Sequence, residues 1–334
     1  MMHEPKHADK NSLFFSTYEP RPPVPAEWCV DAGPVGWEGP MAHPIASQGV
    51  AAAVTAAVLV SAVLHAAWNT LAKLMPDRLA GFVLIGLTSV ACSLLALPWL
   101  PPPARSSWSF IAGSAALHVA YELLLIGSYR AGDLSQVYPV ARGTSPLLVA
   151  AVAGVVAHER LRPVQLAGVV AVCAGLVALA VAGRHRDRRA AGRRPALALA
   201  LAVATGVSIA AYTVVDGLGV RRSGSPLGYA AWLSLGYGSV LPLGVLAVRG
   251  RRLGAALRAG WRAGVAGGVL SLAAYALVLW AQTRGALAAV AALRETSVVV
   301  AALLGTWLLG ERFGRARVLA AATVAAGIVL LNFH

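Results

Sequence analysis

Arg142, Arg294, Glu122 and Glu295 lie within long apolar runs, where an ionised side chain at mid-helix costs about 2.5–3.5 kcal/mol on insertion scales. A guanidinium held there can grip a carboxylate, phosphate or phosphonate through paired hydrogen bonds, and a carboxyl held there can take up and release a proton. Arg142 stands about six residues into its run, roughly 9 Å deep at about 1.5 Å per residue, so it either lines a central cavity, sits in a structural ion pair, or extends to an interface. Pro146, four residues on, cannot donate to the Arg142 carbonyl, which marks this turn as a hinge, a cavity wall or a purely structural kink.

Further polar side chains recur at helical spacing. His65, Asn69 and Lys73 follow at i, i+4 and i+8 with Trp68 beside them, a stripe that must meet other helices or water; Lys73 is either part of it or a boundary charge. His118 and Glu122 form a second i, i+4 pair, in which Glu122 is either a proton-binding acid or a charge partner for Arg142. Arg294 and Glu295 are adjacent, about 100° apart around a helix, so both cannot face lipid, and Glu295 is placed to neutralise Arg142. Tyr138, Tyr212, Tyr275 and Gln282 can add hydrogen bonds or, for the tyrosines, anchor span ends. Asp216 reads as a helix-terminal residue, and Glu159 and Glu311 as fold elements, each paired with the arginine that follows it. The expected substrate-binding set is Arg142, His65, Asn69, Trp68, Tyr138, Arg294 and Tyr275, with Glu122 and Glu295 as candidates for a coupling proton.

The elements that position these residues follow from composition. With 58% hydrophobic and 13% charged residues in 334, the chain is too apolar for an ordinary soluble domain. Ten apolar windows, near 50–72, 79–99, 108–129, 135–157, 163–183, 196–216, 226–248, 263–283, 286–309 and 314–333, predict an all-α polytopic membrane protein. Residues 1–48 hold eight of the nineteen prolines and read as a disordered tail, with Met41 an alternative start. The net charge of +14 is concentrated between apolar runs, as topology signals and not as a nucleic-acid surface. Cys29, Cys92 and Cys173 form no metal or disulfide motif, and no phosphate-binding loop or nucleophile turn occurs, so neither a metal, a cofactor nor a catalytic residue is expected.

The chain repeats itself. Aligning 129–176 with 283–328 pairs Arg142 with Arg294, Glu159 with Glu311 and Gly175 with Gly327, and the Arg-to-Glu spacing is 17 residues in both copies. The stretch 66-AAWNTLAK-73 likewise matches 210-AAYTVVDG-217, and Tyr121 matches Tyr275; Val298 replaces Pro146. The halves, 49–183 and 195–333, each hold five windows, and an odd number makes the second copy enter the membrane inverted.

The doubled segment, a span ending in Glu159-Arg160 or Glu311-Arg312 followed by a glycine-spaced span, resembles the EamA domain of the drug/metabolite transporter superfamily over nearly everything after residue 48. The resemblance implies ten transmembrane helices as two inverted repeats and a secondary transporter, an exporter more than an importer, in the cell inner membrane. Its expected partners are a small polar or amphipathic molecule, with an anionic group suited to the arginines, and the lipid bilayer; monomer and homodimer stay open. Positive residues favour cytoplasmic odd-numbered loops, the family cytoplasmic termini, which leaves orientation open. Rival readings are a membrane-embedded enzyme acting on lipid head groups and a non-transporting partner subunit.

Overall fold

The computed structural model describes residues 44–131, 134–184, 195–301, 303 and 315–332; residues 1–43, most of the expected tail, and the Glu311-Arg312 pair lie outside them. Helices follow one another with short connections: α1 (Pro44–Leu74), α2 (Arg78–Ala96), α3 (Trp108–Ala131), α4 (Leu134–Val156), α5 (Pro163–Arg184), α6 (Pro195–Ser223), α7 (Pro226–Gly238), α8 (Val240–Arg249), α9 (Gly254–Gln282), α10 (Leu287–Arg294) and α11 (Arg315–Leu331). Pro163, Pro195 and Pro226 occupy first helical positions, where the missing N–H has no intrahelical acceptor to lose. Among the described residues, six helical segments are long and apolar enough to cross a membrane, with shorter apolar helices at Val140–Val156, Pro163–Leu179 and Val318–Leu331. Large apolar side chains such as Val155 (75% exposed) and Leu319 (69%) point outward, as lipid-facing residues do.

Two predicted windows are interrupted. The seventh is split between α7 and α8, because Pro242 has no N–H for the Gly238 carbonyl four residues back. The ninth breaks after Arg294: Glu295 N–H donates to the Ala292 carbonyl and Thr296 N–H to that of Leu293, tight i to i+3 bonds, before helix resumes at 297–301. The fourth, by contrast, runs helical through Pro146.

Small residues let helices of the two halves meet at backbone distance. A Cβ on Gly168 of α5 would stand 2.8 Å from the Gly327 carbonyl of α11, and one on Gly327 would stand 2.8 Å from the Gly168 carbonyl. A Cβ on Gly175 would lie 2.9 Å from the Ala320 carbonyl and 2.6 Å from Val324 Cγ2; one on Gly327 would lie 2.8 Å from Val172 Cγ2. In the repeat register Gly168 corresponds to Ala320 and Val172 to Val324, so each of these contacts recurs with the halves exchanged.

Polar ties gather loops at two places. Asp77 caps α2 by accepting from Leu79 N–H (2.9 Å) and Ala80 N–H (3.2 Å), and also accepts from Arg249 Nη1 (2.7 Å) at the end of α8. The Ala80 N–H, helped by Arg249 and opposed by slight burial, holds the Asp77 carboxyl below its ordinary pKa. Elsewhere, Arg221 at the end of α6 donates to the Gln282 carbonyl (2.8 Å), the Gly285 carbonyl (2.8 Å) and Glu159 Oε1 (2.7 Å). Glu159 Oε2 accepts from Leu287 N–H (2.8 Å), the first helical residue of α10. Glu159 is thus a fold element as expected, but its partner is Arg221 and not the adjacent Arg160.

Candidate functional site

A cavity of about 440 Å³ lies among helices of both halves. Its wall takes His65, Trp68 and Asn69 from α1, Glu122 from α3, Arg142 from α4, Tyr212 from α6, Tyr275 from α9 and Arg294 from α10. Of the nine expected residues, seven are thereby brought to one place; Glu295 sits behind Arg142, and the side chain of Tyr138 lies outside the described residues. Lys73, the last member of the α1 stripe, is exposed at the end of that helix and off the wall.

Arg142, 5% exposed, donates from Nη1 to Glu295 Oε1 at 3.0 Å and from Nη2 to His65 Nε2 at 2.8 Å. The charge partner of Arg142 is therefore Glu295 across the two halves, and not Glu122. The tight turn after Arg294 directs two adjacent side chains apart: Arg294 to the cavity wall, Glu295 to Arg142. Glu295 Oε2 is buried and makes no hydrogen bond among the described residues.

The His65 imidazole has one N–H and one lone pair when neutral. Guanidinium only donates, so the 2.8 Å contact makes Nε2 the acceptor and places the proton on Nδ1. The Trp68 indole N–H, 3.3 Å from Nδ1, then faces another N–H and is left to find an acceptor in the cavity. Asn69 Nδ2 donates to its own helix, at the His65 carbonyl (2.8 Å).

Arg294 is 9% exposed on the cavity wall. Among the described residues it makes no ion pair or hydrogen bond; its guanidinium carbon lies 5.3 Å from the centre of the Tyr275 ring. A cation over an aromatic face is stabilised without consuming its N–H groups, which keeps them for a ligand. Glu122 lines the cavity part-exposed, also without an ion pair or hydrogen bond among the described residues.

Two features of this region escaped the sequence reading. His118 lies between Tyr212 and Tyr237, ring centres 4.0 and 4.4 Å away, with Nδ1 3.0 Å from the Ser114 carbonyl, to which it donates as Nδ1–H. The i, i+4 spacing paired His118 with Glu122 but could not show its stacking partners. Asp216, expected at a helix terminus, is instead fully buried inside α6 and accepts from the Tyr229 hydroxyl (3.0 Å) and from the Tyr275 hydroxyl. The helix continues past Asp216 to Ser223, and near its end Arg221 donates to the carbonyls of Gln282, the last residue of α9, and of Gly285 in the loop that follows. An acid in the repeat of 66-AAWNTLAK-73, where the first copy has Ala72, was the available signal.

Among the described residues no cluster of three or more His, Cys, Asp and Glu could hold a metal ion. No curated protein matched the chain by sequence. A solved crystal structure with 18% sequence identity shares the fold at a TM-score of 0.64, covering 84% of this chain and 96% of the other. The family model for the EamA-like transporter family matches twice, over residues 53–181 and 196–333. With two such matches spanning all but the first residues and a short linker, this chain, an all-helical multi-pass membrane protein, belongs to the EamA-like transporter family.

Proposed function

We propose that this family member is a secondary-active transporter of ten transmembrane helices, built as two inverted five-helix repeats, that moves a small polar or amphipathic metabolite with an anionic group by alternating access. Export across the cell inner membrane is the expected direction. The carrying observation is Arg294, a buried guanidinium on the wall of a cavity shared by both halves, with no anion against it among the described residues. A fixed cation in a low-dielectric pocket favours an anionic ligand, and Trp68, Tyr212 and Tyr275 supply apolar faces for its body.

Two sets of contacts support the inverted arrangement. Contacts between α5 and α11 recur with the halves exchanged. Arg221, Glu159 and Gly285 gather connections 6–7, 4–5 and 8–9, whereas Asp77 and Arg249 gather connections 1–2 and 7–8, which is the sorting that ten alternating spans produce. Of the two expected proton carriers, Glu295 is engaged by Arg142 and Glu122 faces the cavity.

A thermal-shift screen of amino acids, nucleosides and phosphonates on the purified protein tests the reading, followed by flux of any stabilising compound into proteoliposomes under an imposed pH gradient. Anionic compounds are expected to stabilise the wild type and not Arg294→Gln. Stabilisation confined to neutral or cationic compounds, or equal in the variant, overturns the anionic site.

A further inference from the structure

We propose that Asp216 is a proton-binding site joined through Tyr275 to the anion position at Arg294, so that an anionic substrate and a proton are bound together. This rests on the reading of the cavity as an anion site and adds to it the chemistry of coupling.

Asp216 is 0% exposed within an apolar span, and no ion pair reaches it among the described residues. Its oxygens accept from two phenols, Tyr229 and Tyr275. Phenol hydroxyls both donate and accept. They can bond a carboxylate by donating and a carboxylic acid by accepting its O–H, so either protonation state keeps its partners without a rearrangement of the helices. A purely structural buried acid is ordinarily fixed in one state by a cation, as Glu295 is by Arg142.

Tyr275 connects this acid to the cavity. Its hydroxyl reaches Asp216 from one side, while its ring lies under the Arg294 guanidinium and forms part of the cavity wall. The buried charges then sum in two groups. Arg142 and Glu295 cancel in contact; Arg294 and Asp216 cancel at a distance, through Tyr275. An anion arriving at Arg294 leaves this second group with one excess negative charge in a low-dielectric interior, and a proton on Asp216 restores the balance. Coupling of this kind is reciprocal: the proton strengthens anion binding by the factor with which the anion strengthens proton binding.

The groups facing this position from the packed elements are His118 on α3, Arg142 on α4, Tyr229 and Tyr237 on α7, Tyr275 on α9 and Arg294 on α10. Arg142 is occupied by Glu295, and the tyrosines stay neutral in the working range. His118 and Glu122 are the rival proton acceptors. Asp216 corresponds to Ala72 in the first half, so the coupling site is single and the two halves are not equivalent in the proton step.

The experiment uses benzoate as the probe, a carboxylate with an aromatic body that stays ionised above about pH 5.5. Proton uptake on adding benzoate to the purified full chain is read with a pH-indicator dye in weak buffer, alongside affinity at about pH 5.5 and about pH 8. Wild type is expected to take up protons and to bind about tenfold more tightly at the lower pH. Asp216→Asn is expected to bind benzoate with no uptake and no pH dependence. Tyr275→Phe, which keeps the ring under Arg294, is expected to shift the pH at which uptake is greatest, and serves if Asp216→Asn does not fold. Uptake that survives in Asp216→Asn and vanishes in Glu122→Gln or His118→Gln assigns the proton elsewhere and overturns the proposal alone, as does an unshifted profile in Tyr275→Phe. No benzoate binding in wild type, or binding unchanged in Arg294→Gln, removes the anion site and this proposal with it.

Discussion

Neutralising Arg142 or Glu295 alone leaves the other charge buried between the two halves without its partner. At the observed 3.0 Å, the attraction is about 5.5 kcal/mol for an effective dielectric of about 20, and most of that offsets the loss of hydration of two side chains only 5% and 2% exposed. The pair as a whole therefore adds little net stability, whereas removing one member costs about 3–5 kcal/mol. Glu295→Gln leaves the Arg142 guanidinium beside Arg294; Arg142→Gln leaves a carboxylate whose Oε2 already lacks a hydrogen bond among the described residues. Arg142→Gln also gives up the donor to His65, so it is expected to be the more damaging single change. The double variant, with no unpaired charge, is expected within about 1–2 kcal/mol of wild type. Reversible unfolding in mixed detergent micelles, arranged as a double-mutant cycle, measures all four corners. Single variants that each lose less than about 1 kcal/mol, or that add without coupling, would refute the assignment of this pair as a charge-neutralising contact across the halves. A further consequence concerns function: loss of transport in Arg142→Ala cannot by itself identify a substrate contact, because the substitution also strands Glu295.

Two other predictions test the packing and the loops. Gly168→Ala and Gly327→Ala each push a Cβ to 2.8 Å from a facing carbonyl and should each cost about 1–3 kcal/mol in the same assay, whereas Gly113→Ala, with nothing within 4 Å, should be neutral or slightly stabilising. Asp77→Ala removes the cap of α2 and the tie to Arg249 and should cost about 1 kcal/mol. Because Asp77 has its pKa lowered on folding, its contribution is present above the unfolded value of about 4 and is lost as pH falls through the folded one. The difference between wild type and Asp77→Ala should accordingly narrow below about pH 4 in unfolding measurements across pH.

Much of the cavity wall was legible in the sequence. A costly arginine recurring at one register in both halves directed attention to Arg142 and Arg294, and both stand on the wall of one cavity. Helical spacing likewise put His65, Trp68 and Asn69 on one face, which holds because a single long helix carries them. Asp216 was misread for an identifiable reason. Hydropathy closes the sixth window at residue 216, ahead of the basic pair Arg221-Arg222, yet these arginines find partners on the Gln282 and Gly285 carbonyls and on the Phe110 ring, and the helix passes on to Ser223. The split at Gly238 could have been found from Pro242; the break after Arg294 has no proline or glycine to announce it.

Apolar runs, their length and their duplication are properties of neighbouring residues, and they determined by themselves the helices, the bilayer as solvent and the family resemblance. Partnerships were decided only by the tertiary structure. Arg142 lies 153 residues from Glu295, and Asp216 lies 59 from Tyr275, so which charge is neutralised, which guanidinium is left for a ligand and which acid is sealed behind a tyrosine depend on how the halves pack. Close approach of α5 to α11 at Gly168 and Gly327 helps set that packing, and local periodicity carries no information about it.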